Sequence, residues 1–506
     1  MTAHADAPIA VDEPEPAAPA AVPRFFGKYS KLIVLGGLGC VAALLVAASA
    51  PAGIGMMAAS AGIGIVVVSV GLRYPVWALL FMLFAIFLRL ALPKVGTDPF
   101  LLAFCGLIVS TAIWLLGNPR ERPRLGLVEL AMVVYVAWNI YSIATPHELP
   151  VLIFPEFGGT FSLPRYLLIG TVLPFVTYII CRAIFSTVSS VRLLMYFVVF
   201  VGAYSAAVSI MQFTGPTSLI FPRYIVEAPN WVGRANGVLN QPGANGIVLI
   251  AGFVAAIALS TLTDQRWKRY VLWFISAAST YAIYLTHTRA IYVAFLMVLV
   301  MGAAMAKGYR RPYVTTIVLI VIGVAMNWST FTSSDRDKGG VGSTNEVYDR
   351  LNADATAVWA FLEKPWEGWG LGRFVAINLY HHQKYSEDTP WIRGVGVSSH
   401  ENELGILSEL GIIGLVLWLA VLFLIFQRLI RGLRTLPEAG LTGRPLALVA
   451  FACISSLVLL GFFADLRLLD YPNTMVMALA GAAVGALDRE NRAKEKPFVR
   501  LPKLRF

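Results

Sequence analysis

Apolar stretches of 18 or more residues recur along this 506-residue chain, each long enough to cross a hydrocarbon core of about 30 Å. Such segments are read as transmembrane α-helices, because barrel strands would alternate in shorter runs of about ten residues. Composition agrees: 58% of residues are hydrophobic and 14% charged, against about 25% charged in soluble domains. The expected fold is an all-α polytopic membrane protein with about fourteen transmembrane helices. Its spans are 31–50, 52–71, 76–93, 98–117, 125–144, 166–187, 190–212, 243–262, 268–286, 290–306, 312–329, 403–427, 445–465 and 469–488.

Short loops on one side of these spans are strongly basic. They hold Arg120, Arg122 and Arg124, then Arg182 and Arg192, then Arg266, Lys268 and Arg269. Lys307, Arg310 and Arg311 follow, then Arg428, Arg431, Arg434 and Arg444, and finally the tail from Arg489. The positive-inside rule makes this side cytoplasmic and puts both termini there. The same distribution accounts for the formal charge of +11 without a nucleic-acid partner. Residues 1–28 are expected as a cytoplasmic tail, disordered through its Ala- and Pro-rich first part. It lacks the order of a cleavable signal peptide, so the first span is expected to persist. Residues 29–488 form the transmembrane domain and 489–506 a basic cytoplasmic tail.

The opposite side carries the long segments 145–165, 213–242 and 330–402. The last, between spans 11 and 12, is expected as a large, partly helical extracytoplasmic loop, with Asn352 to Leu362 helical. Trp366, Trp369 and Trp391 suit the membrane interface. Cys40, Cys105, Cys181 and Cys453 lack metal-ligand spacing and read as buried small hydrophobes. His381 and His382 are adjacent and diverge in a regular element, so no metal site is expected. No internal repeat supports an inverted-repeat transporter.

Polar groups where they are costly carry the chemistry. Arg289 lies in THTRA (286–290), a turn almost without a loop, so it stays at or just below the outer surface. It is either an interfacial Arg snorkelling to lipid phosphate or a bidentate clamp for an anion. His400 opens SSHENELGILSELGIIGL (398–415). There Ser398 or Ser399 can cap the next helix, and Glu401 and Glu403 complement its dipole. His400 is not needed for the cap, and its reference pKa near 6.5 suits a base or anion ligand. Arg234 heads RANGVLNQPGANG (234–246), with Arg223 a weaker rival in the same loop. Asn236, Asn240 and Asn245 add capacity for sugar hydroxyls or serve as turn residues. EKPWEGWGLGRF (363–374) is weak as a phosphate loop and better as a turn holding the outer segment to the bundle. Asp465, Arg467 and Asp470 are expected to form a salt-bridged cluster.

TxTRA, PWEGWGLGRF and HENELGILSELGIIGL, in that order, resemble the signature region of the O-antigen ligase and polymerase superfamily. RANGVLNQPGANG resembles its upstream motif, and the likeness covers roughly residues 230–425. The family commonly has Ser-Arg-Gly where this chain has Thr288-Arg289-Ala290. The resemblance implies a metal-independent membrane glycosyltransferase without cofactor, working outside the cytoplasmic membrane on the periplasmic face. It would move a glycan from a polyprenyl-diphosphate (undecaprenyl-type) carrier to a lipid, glycan or protein hydroxyl, in lipopolysaccharide or other cell-envelope polysaccharide biosynthesis.

It also implies roles. Arg289 and Arg234 would grip the diphosphate, with Arg223 and Asn240 near the donor. His400 would deprotonate or orient the acceptor, supported by Ser399, Glu401 and Asn402. Ligase is the leading reading, with polymerase or O-oligosaccharyltransferase as alternatives. A lipid-linked oligosaccharide flippase is the rival from another class.

Overall fold

The computed structural model describes residues 74–92, 98–152, 162–335, 339–342, 345–392 and 394–495. The expected spans 31–50 and 52–71, Cys40 and the tail 1–28 lie outside these residues, as do 496–506. In chain order the longer helices are α1 Pro75–Phe87, α2 Pro99–Gly117, α3 Leu127–Ala144, α4 Leu163–Ile184 and α5 Val188–Thr214. Then come α6 Pro242–Thr261, α7 Arg266–Leu285, α8 Arg289–Met305 and α9 Arg311–Met326. The segment that follows contributes α10 Asn345–Glu363 and α11 Phe374–Tyr380. The chain then forms α12 Asn402–Thr435, α13 Arg444–Gly461 and α14 Asp470–Glu495. Among the described residues there is no strand.

Among the described residues, seven helices (α2 to α6, α12 and α13) are long and apolar enough to cross a membrane, and α1, α8 and α9 are shorter apolar helices. This is a multi-pass membrane architecture. At each described position where a span is expected, a helix stands, with shifted edges. α12 runs to Thr435 rather than 427, and α14 to Glu495, so 489–495 continue a helix instead of starting a tail.

α6 forms the centre, buried from Pro242 to Ser260 and packed against α5, α7 and α13. α14 packs along α4 through Gly481 and Gly485, the small residues that let two helix backbones approach. A Cβ at these positions would stand 2.3 Å from the Tyr178 carbonyl oxygen and 2.4 Å from that of Arg182. On the periphery, Leu102, Ile113, Leu116, Leu130, Val133, Leu319 and Val321 are exposed, as lipid-facing side chains should be. Cys181 and Cys453 are buried, but Cys105 is exposed. That corrects its reading as a core residue, because α2 is a peripheral helix with most of its surface outward.

Two interruptions place the elements that matter for function. In α4, residues Leu168–Val172 form a π turn, next to Pro174, which lacks the amide for a regular helical bond. A Cβ on Gly170 would lie 2.5 Å from the Arg467 carbonyl oxygen, so the turn 465–469 seats against this break. In α12 the helix breaks at Gly411, whose φ of 65° and ψ of −171° lie outside the helical region. Only glycine takes that backbone shape readily.

Candidate functional site

The break in α12 receives the PWEGWG turn. The Trp369 amide donates to the Ser408 carbonyl (3.0 Å), Gly370 to that of Glu409 (2.8 Å), and Ile412 to that of Pro365 (2.9 Å). Thus the turn between α10 and α11 does fasten this segment to the bundle. Glu409, fully buried, reinforces the joint. Its carboxylate accepts the Phe374 amide at 2.9 Å and Arg467 Nη1 at 2.7 Å. Arg467 also pairs with Asp465, Nη2 to Oδ2 at 2.8 Å. Asp470 instead binds Arg89, so the expected three-residue cluster is two separate ion pairs.

The tryptophans divide differently from the interfacial expectation. Trp366 is 70% exposed. Trp369 is buried, its ring 5.6 Å from that of Trp359 and 5.5 Å from that of His381. Trp391 packs against the small core of Ala353, Ala357 and Phe374. Stacking on Trp359 and His381 takes the Trp369 ring out of the surface. His381 is thereby part of an aromatic stack.

Arg234 and Arg289 meet. They are far apart in sequence, yet both contact Glu346 in the first turn of α10. Arg234 makes the close ion pair, and Arg289 Nη2 stands 3.8 Å from the second carboxylate oxygen. Arg289 Nη1 also donates to the Val341 carbonyl at 3.0 Å, and the Arg234 guanidinium lies 4.9 Å from the Trp231 ring. The convergence is built by the backbone. Ala235 N donates to Leu285 O at 2.8 Å, and His287 Nδ1 lies 2.7 Å from Gly233 O, so both neighbours of Arg234 are tied to the α7–α8 turn. His287 makes that turn tight with a left-handed φ of 45°, and its ring packs edge-on against Phe213 and Tyr284.

Arg289 is the first residue of α8, where the helix dipole disfavours a cation. Two guanidiniums, one of them carried by the first residue of α8, therefore converge on one carboxylate. That is the arrangement of an anion site.

α10 connects this pair to His400. Glu346, Arg350 and Asp354 are four residues apart and share one helix face, so Asp354 lies about 12 Å along the axis from Glu346. There α10 packs on the start of α12, with Leu404 against Ala353 and Ala357. His400 and Glu401 immediately precede α12, and His400 is partly exposed.

Glu401, not Ser398 or Ser399, is the N-cap residue, and no side chain caps the helix. Ser399 Oγ instead donates to the Glu401 carbonyl at 2.5 Å and accepts the Glu401 amide at 3.3 Å, a local turn. Asn402 is buried: its Nδ2 donates to Glu403 Oε1 at 3.2 Å and its Oδ1 accepts the Leu466 amide at 3.2 Å. Burial, with Asp354 and Glu403 nearby, pushes the Glu401 carboxyl up to about 7. Burial likewise pushes Asp354 up to about 6, against the pull of Arg350. Two interacting carboxyls raised toward neutrality thus lie where α10 meets the start of α12, one of them next to His400 in sequence.

Two residues assigned to the donor stand apart from Glu346. Arg223 is exposed and paired within its own loop, with Glu227 at 3.1 Å and the Thr217 carbonyl at 2.8 Å. Asn240, with φ of 50°, spends its amide on the loop: Oδ1 accepts Asn230 N and Nδ2 donates to Ala228 O, both at 3.1 Å. Sequence reasoning missed Glu346 and His287. The signal for His287 was a bulky residue inside a three-residue turn. Glu346 left none, being one acid among several in a moderately polar segment.

Residues 274–419 match the O-antigen ligase family. The match takes in Arg289, Glu346 and His400, while Arg234 lies upstream of it. No curated protein matches the chain.

Proposed function

We propose that this chain, which carries an O-antigen ligase domain at residues 274–419, transfers a glycan from a polyprenyl-diphosphate-linked donor to an acceptor hydroxyl. The observation that carries the reading is the convergence of Arg234 and Arg289 on one site, beside the helix that leads to His400. In the reaction the bond between the sugar's anomeric carbon and the diphosphate oxygen breaks as the acceptor oxygen bonds to that carbon. Negative charge develops on the leaving diphosphate. Guanidiniums held in place stabilise it without reorganising, the role a divalent cation plays elsewhere.

The acceptor proton passes to His400, the residue that precedes Glu401 at the start of α12. Direct displacement inverts the anomeric centre. The separation of about 12 Å along α10 leaves room for a sugar between diphosphate and acceptor groups. In this reading the basic short loops and both termini are cytoplasmic, and the 330–402 segment and its site face outward. About fourteen spans make up residues 29–488. The donor's diphosphate then lies at headgroup depth, level with Arg289. Attachment to a lipid acceptor, in the ligase manner, is the leading form. Against a flippase, Arg182 and Arg467 are closed in salt bridges near opposite ends of the bundle and do not line a path across it.

The test is transfer by Arg289→Ala in liposomes supplied with a polyprenyl-diphosphate glycan and an acceptor. Loss of one preorganised charge stabiliser is expected to lower kcat by roughly 10²–10³-fold. Undiminished transfer would overturn the reading.

A further inference from the structure

The carboxylate that holds Arg234 and Arg289 is in the position an incoming anion needs. Glu346 binds Arg234 directly and stands 3.8 Å from Arg289. Its side chain is only 12% exposed, and those of the two arginines are 13% and 29% exposed. A phosphate oxygen and a carboxylate oxygen compete for the same guanidinium N–H groups, and little other donor surface of Arg234 faces outward.

From this we infer that Glu346 is a latch: an internal anion that occupies the clamp at rest and must leave when a lipid diphosphate binds. The inference rests on the diphosphate reading of the arginines and adds a competing state to it. Displacement releases the first turn of α10, because Glu346 is its attachment to both α8 and the loop before α6. Donor binding is thereby coupled to movement of the same helix that packs on the start of α12 beside His400. The clamp fills at the expense of the latch, and the α10 face that carries Asp354 shifts relative to the acceptor groups. A purely structural ion pair predicts the opposite behaviour, since removing it would loosen the arginines and weaken their grip.

The measurement is binding of farnesyl diphosphate to the full chain in detergent, for the unmodified protein, Glu346→Gln and Arg289→Ala. If the clamp is open one-tenth of the time, freeing it tightens binding about tenfold. Glu346→Gln is then expected to bind about tenfold tighter than the unmodified protein, and Arg289→Ala weaker. Equal or weaker binding by Glu346→Gln, with the unmodified protein still binding and Arg289→Ala impaired, overturns the latch alone. Binding that is absent, or indifferent to Arg289→Ala, overturns the clamp and the latch together. A second reading needs no variant. Farnesyl diphosphate is expected to speed amide exchange over residues 345–352 of the unmodified protein; unchanged or slowed exchange overturns the latch.

Discussion

Two arginine clusters at opposite ends of the helix bundle use their charge in opposite ways. At the end with the short basic loops, Arg182 reaches Asp488 with Nη2 at 2.6 Å and also binds Glu129, while Arg428 takes the other Asp488 oxygen. Arg182 and Glu129 are 3% and 4% exposed, and two arginines balance two carboxylates. Arg182 Nη2 also donates to the Arg124 carbonyl, and Glu129 accepts the Gly126 amide. All three Arg182 side-chain nitrogens have carboxylate acceptors, so the cluster is a lock between α3, α4, α12 and α14. At the other end Arg234 and Arg289 both reach the carboxylate of Glu346. Arg289 remains 29% exposed. Balance and burial serve folding, whereas shared charge with access suits binding.

The sharpest way to break this contrast is Arg182→Ala. It leaves Glu129 and Asp488 buried with much of their compensation gone, which typically costs about 3–5 kcal/mol. The expected result is a large loss of thermal stability in detergent and low yield, with the surviving folded fraction still active. Arg289→Ala should do the reverse, keeping stability while losing transfer. If Arg182→Ala melted like the unmodified protein but lost transfer selectively, the distinction between lock and site would collapse.

Much of this was legible because a charge in an apolar chain needs a reason. Arg234, Arg289 and His400 stood out on that ground, and the loops around them placed them on one side. Glycine and proline marked the strained joints at 363–374 and 234–246, where the backbone does turn sharply. What sequence could not supply was pairing. Glu129 and Arg182 lie near the ends of different spans and gave no sign of each other. Glu346 is 112 residues from Arg234, and contact between them depends on how α10 lies across the bundle. The N-cap also escaped, because Ser399 satisfies the neighbouring backbone in a turn before the helix begins. Helix edges shifted for a related reason: α12 tolerates Arg428, Arg431 and Arg434 because one of them is neutralised by Asp488.

A smaller effect sharpens the comparison from the acceptor side. Glu401, raised to about 7 mainly by burial, binds its proton more tightly folded than unfolded. Between the ordinary carboxyl range, about 4–4.5, and 7 the folded state therefore holds the extra proton. Stability from this group is fully present at low pH and is lost as pH rises toward 7, the opposite of a salt-bridged carboxylate. Thermal unfolding followed from pH 4.5 to 8 should show this decline, and Glu401→Gln should flatten it. An unaltered profile in Glu401→Gln would mean the group titrates in the normal range.

The smallest expected effect separates sequence motif from site. Arg223 shares a loop with Arg234, but its guanidinium is 46% exposed and paired with Glu227 one helical turn away. An exposed pair at that spacing contributes about 0.3–0.5 kcal/mol, and the side chain has no described contact with Glu346. Arg223→Ala is accordingly expected to leave both melting temperature and donor KM within error, measured beside Arg234→Ala in the same liposome assay. A rise in KM approaching that of Arg234→Ala would place Arg223 on the donor's path. The clamp would then extend beyond the pair that shares Glu346, and the charge available at this end of the bundle would be larger than the two guanidiniums supply.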